Sequence, residues 1–201
     1  MGSLLIALAM GFMASTGYCL TVGPTANVKS ISTAPIQISA EVVPILELTL
    51  TIYDGATTTS PVVTVMNFNT LVLTQSTLTY ASSHVFTVQA TAISSGRAYS
   101  LLQSGTQLVD PAGDKLPLGC QIVTPNALKV TPNAGGTYGK QQQWVGNNLI
   151  LYTSNTAGQR DTVNARYTLS SDSTLGSTDK IDADQHGGSY TATVTYTLTL
   201  N

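Results

Sequence analysis

The chain has 201 residues, a formal net charge of −2 and only 9% charged residues, so it carries no basic field to gather nucleic acid or an anionic membrane surface. A hydrophobic share of 42% is that of a globular protein and argues against disorder. Two histidines and two cysteines leave little material for catalysis or metal binding.

Leu4 to Met13 is apolar but too short to span a bilayer, and the small residues Ala14, Ser15, Thr16 and Gly17 follow it. That is the layout of a secretory signal peptide over residues 1–17, which implies a secreted, extracellular-surface protein with no stable membrane span. No basic residue precedes Lys29, a departure that leaves a buried N-terminal helix or a start further upstream open. Cleavage after Gly17 keeps Cys19, which then bridges Cys120 in an oxidising compartment. Cleavage after Cys19 satisfies the same small-residue rule and removes that bridge. A lipid anchor at Cys19 is disfavoured by Tyr18, where a small residue belongs.

Residues 18–35 have weak core signals and read as an arm. Either it lies in a neighbour's groove with Val22, Ala26 and Val28 as small anchors, or it is a tether.

Residues 36–201 alternate apolar and polar side chains without helical spacing, which predicts one all-β domain. The strands in order are IQISAEVV from Ile36, LELTLTI from Leu46, PVVTVMNF from Pro61, TLVLT from Thr70 and VFTVQATAI from Val85. AYSLLQ follows, then two short strands around CQIVTPNALKVTP, then LILYT, TVNARYTLSS and a closing run from Ser189. Pro44 marks a bend and Asp54-Gly55 a turn, while residues 133–148 read as a long loop that Trp144 pins to the body. About nine strands with one apolar face each make a two-sheet antiparallel sandwich the economical fold.

His84 and His186 lie in no catalytic motif, and Glu41 and Glu47 read as solvent-facing, so the chain is read as a non-enzyme. One run has ligand potential: Asp179, Asp182 and Asp184 are calcium candidates beside His186, although the run lacks the glycine placement and terminal Glu of a known calcium loop. A plain connection before the last strand is the competing reading, and no other cofactor is expected.

Asn67-Phe68, Val88 and Ala90 in FTVQATAI, Tyr99 in the next strand, and Gly188, Tyr190, Val194, Tyr196 and Leu198 in GGSYTATVTYTLTL together resemble the layout of spore-coat-protein-U-like and fimbrial secreted proteins. The chain departs from that layout at Asn69, where the family has glycine, in lacking the family's early and middle cysteines, and in having no penultimate tyrosine. The resemblance implies an immunoglobulin-like sandwich that self-associates into a homopolymer outside the cell, handled beforehand by a periplasmic chaperone. It makes Tyr190, Val194, Tyr196 and Leu198, on the closing strand, assembly residues together with the arm. Exposed alternation at that edge independently suits pairing with another chain. The alternative function is an adhesive module binding glycan through residues 133–148, with Tyr138 and Trp144 stacking on a sugar.

Overall fold

The computed structural model describes residues 45–128, 135–155, 157–169 and 180–201. The proposed leader, the arm with Val22, Ala26 and Val28, Cys19 and the strand IQISAEVV lie outside the described residues, as does Asp179. In chain order the described strands are β1 (Glu47–Asp54), β2 (Val62–Val63), β3 (Val72–Thr74), β4 (Thr79–Ala81), β5 (Val85–Ile93), β6 (Tyr99–Gly105) and β7 (Gln121–Thr124). After them come β8 (Thr137–Tyr138), β9 (Gln142–Gln143), β10 (Gly146–Thr153), β11 (Asp161–Leu169), β12 (Ile181–Asp182) and β13 (Val194–Leu200). A single turn of 3₁₀ helix at Leu118–Cys120 is the one helical element among the described residues.

Antiparallel pairing sorts the strands into three sheets, with orders β2-β1-β5-β11-β7-β9, β13-β6-β10-β8 and β12-β4-β3. The fold is all-β, as the alternation predicts. About nine strands were expected and thirteen are present among the described residues; six of these run only two or three residues, and four of the six, β4, β8, β9 and β12, lie in stretches that read as turns or loops.

The centre of the largest sheet is β5 against β11, paired from Asp161↔Ala92 to Thr168↔Val85. Phe86, Val88, Ala90 and Ala92 of β5 and Val163, Ala165, Tyr167 and Leu169 of β11 are buried in one cluster. That cluster also holds Tyr99 and Leu101 of β6 and Leu151 and Tyr152 of β10, so the six- and four-stranded sheets share one core, as layers of a sandwich do. Each fully buried apolar side chain of this kind contributes about 1.5–3 kcal/mol. On the other face of the pair, Thr91 and Thr162 hydroxyls lie 3.1 Å apart and Gln89 donates to Asn164 at 3.2 Å, so polar ladders satisfy what the core leaves outside. In β10 a register shift between Ile150 and Tyr152 places the adjacent Leu151 and Tyr152 both inside, the effect of a bulge.

Three expectations are corrected. PVVTVMNF pairs only at Val62–Val63, and the rest of it runs without ladder bonds while Met66 and Phe68 still pack on the core. The closing strand begins at Val194 and not at Ser189. Residues 135–148 are not a free loop: they carry β8 and β9, and Trp144 is only 3% exposed.

Candidate functional site: an edge strand beside a strapped cavity

Alternation in VTYTLTL dictates the character of β13. Thr195, Thr197 and Thr199 are exposed, whereas Val194, Tyr196, Leu198 and Leu200 face the core yet remain half-buried. The strand pairs with β6 over seven positions, from Val194↔Gly105 to Leu200↔Tyr99. Its end is tied down as well, since Asn201 N–H donates to Ala98 O at 2.9 Å and Ser100 Oγ donates to Asn201 Oδ1 at 2.9 Å. On its other side β13 has no ladder partner among the described residues, so it ends its sheet.

A buried polar chain fixes that edge to the centre. Gln103 of β6 is fully buried, donating through Nε2 to Trp144 O at 2.7 Å and accepting at Oε1 from Tyr167 Oη at 2.9 Å. Because the Tyr167 proton goes to Gln103, Tyr196 donates in the 2.8 Å contact between the two phenols. Burial holds the Tyr167 hydroxyl well above its ordinary pKa, with Tyr196 adding to the shift, and burial likewise raises Tyr196 against a smaller opposing effect of its bond to Tyr167. Tyr196 therefore serves as a neutral, hydrogen-bonded anchor for the last strand.

Next to this edge lies a cavity of about 1130 Å³. Its buried lining includes Leu108, Leu116, Trp144, Tyr167, Leu169 and Ile181, and two irregular segments complete it, Val65–Leu71 and Gln185–Ala192. Phe68 anchors the first segment, meeting Phe86 edge-on at 5.1 Å and stacking on Trp144 at 5.9 Å. Asn69 takes φ 53°, with its N–H bonded to Asn67 Oδ1 at 2.9 Å. Asparagine tolerates this left-handed backbone, which is otherwise left mostly to glycine.

His84 joins this segment: its Nε2 is 2.9 Å from Asn69 Nδ2 and its Nδ1 is 3.5 Å from Asp54 Oδ1. Trp144 is buried and its ring stacks on Phe68. Half-buried Tyr138 sits in β8 with its ring 5.3 Å from that of Tyr152. Burial, with Asp161 adding to it, pushes the Tyr138 hydroxyl up to about 12.

The second segment is held to the turn that carries Asp110. His186 Nδ1 lies 3.1 Å from Asp110 Oδ2 and 3.3 Å from Asp114 Oδ2. Asp110 is presented by its own turn, where its Oδ1 accepts from Ala112 N–H at 2.9 Å and Asp114 N–H at 2.8 Å. Burial alone would raise the Asp110 pKa, but the bond from Asp114, then those from His186, Ala112 and Gly113, hold it below the ordinary value. Asp182 and Asp184, the calcium candidates, occupy a turn in which Asp184 N–H donates to Asp182 Oδ1 at 3.1 Å. Among the described residues the group able to offer three ligand atoms within 4.8 Å of one another is Asp110, Asp114 and His186. Cys120 is buried at 1% exposure, and its proposed partner Cys19 lies outside the described residues.

The chain matches no protein-family model, and no curated protein or solved structure is significantly similar to it. No helix among the described residues is long and apolar enough to cross a membrane.

Proposed function

We propose that the protein is a structural subunit of an extracellular fibre or coat, exported through its N-terminal leader and assembled by strand pairing between copies. The observation that carries this reading is β13, a seven-residue strand paired on one side among the described residues, with four inward residues only partly buried. An alternating edge of this kind is a template for another strand, and proteins that do not use such an edge usually blunt it with charge, proline or a bulge. None of these devices interrupts VTYTLTL. Leu50 of β1 and Leu46 just before that strand add to the apolar surface, each nearly half exposed. Burial and ladder bonds are then the function, with self-association as the partner interaction and an export chaperone covering the edge beforehand.

Sizing and negative-stain microscopy of the secreted chain test the reading. Fibres from the full chain, lost when residues 20–33 are deleted from an otherwise folded protein, are the expected result. A strictly monomeric protein, even with its export chaperone supplied, contradicts it.

A further inference from the structure

Residues Gln185–Ala192 form a connection whose side chains are mostly exposed, yet they line the apolar cavity. Segments with few buried apolar contacts open at low free-energy cost, so this one stays in place through specific ties. Apart from the Gln185 N–H bond to Asp182 O at 3.2 Å, its ties to the rest of the chain run to residues 109–115. Val109 and Thr191 exchange N–H···O bonds at 3.0 and 2.9 Å, and Gln185 Nε2 reaches Lys115 O at 3.4 Å. Within the segment, Gln185 Nε2 donates to Tyr190 Oη at 2.9 Å and Tyr190 Oη donates to His186 O at 2.5 Å.

His186 faces two carboxylates at once. Asp110 is 3% exposed and pre-oriented by its turn, whereas Asp114 and His186 are 50% and 60% exposed, so one partner is fixed and the other two are adjustable. Gly188 permits the close approach: a Cβ there would stand 3.0 Å from Asp110 Oδ2, whereas one at Gly187 would meet nothing within 4 Å.

We propose that Gln185–Ala192 is a strap latched by His186 directly across Asp110 and Asp114, and that breaking this latch loosens the strap and opens the cavity while the sheets stay intact. A hydrogen bond to a charged group is worth enough to change a local opening equilibrium about tenfold or more. The latch is a property of the single chain and holds whether or not copies assemble.

Hydrogen exchange on the full chain, kept monomeric by dilution, provides the test, with Asp110→Asn and His186→Ala as the variants. Asp110→Asn retains the Oδ1 acceptor for the turn and replaces the nearer of the two carboxylate oxygens facing His186 with an amide nitrogen. The expected result is exchange at 185–192, read at the Thr191 amide, about tenfold faster in both variants, together with increased binding of an apolar dye and unchanged protection in β5 and β11. Unchanged strap exchange in both variants overturns the proposal, and so does loosening that spreads equally to β5 and β11. Wild-type strap protection that vanishes in EDTA and returns with Zn²⁺ or Mn²⁺ also overturns it, because the latch would then be an ion and not a direct contact.

Discussion

The pair β5–β11 and the strand β13 are built from the same alternation, yet they occupy opposite situations. β5 has β1 on one side and β11 on the other, and its inward residues Phe86, Val88, Ala90 and Ala92 are 0–2% exposed. β13 has β6 alone among the described residues, and its inward residues are half-buried. Pairing on both sides and full burial put the free energy of folding at the centre. One-sided pairing leaves a surface at the edge whose burial is still to be gained, and that is the surface the proposed assembly would use.

The comparison breaks most visibly at the centre. Phe86→Ala removes a 2%-exposed ring in edge-on contact with Phe68, and a loss of about 3–5 kcal/mol is expected in urea unfolding. A loss under about 1 kcal/mol would mean that the centre is not the seat of stability. Tyr167→Phe should cost about 1–3 kcal/mol, since it strands the buried Gln103 Oε1 and removes the phenol that Tyr196 meets.

The same tyrosines set a pH limit. Their folded-state pKa values are raised, so the folded chain holds these protons more tightly than the unfolded one does. Their contribution is fully present below about pH 10, the unfolded tyrosine value, and is lost as pH rises beyond it. Thermal unfolding against pH should show a decline above pH 10 that is shallower in the double Tyr167→Phe, Tyr196→Phe variant. An equal decline in both proteins would remove these phenols from the account.

Leu198→Ala, at the half-buried edge, should cost the monomer only about 1 kcal/mol, less than a buried leucine would. Its effect on fibre formation should be larger than its effect on stability, which sharpens the contrast with Phe86. Smallest is the strap: Gly188→Ala presses on Asp110 and should speed local exchange at 185–192, with Gly187→Ala as the silent control.

Much of the centre was legible because alternation there coincides with burial. VFTVQATAI is β5 residue for residue, and TVNARYTLSS contains all but the first residue of β11. PVVTVMNF misled because its apolar residues serve the core from irregular backbone, where Phe68 inserts without a ladder partner. The latch could not be read locally. His186 was visible in the run that suggested calcium, but its partner Asp110 lies 76 residues away, and only the fold brings them together. Trp144 was legible as a pin, whereas its burial under Phe68 depended on the same non-local packing.

The most direct test of the central claim is residue-resolved hydrogen exchange on the protein before and after assembly. If subunits join through the open edge of β13, amides of Val194–Leu200 that exchange in the monomer become protected in the fibre, while β5 and β11 are already protected in both states. If fibres form and the β13 amides exchange as they do in the monomer, the edge is not the joint and the account is wrong.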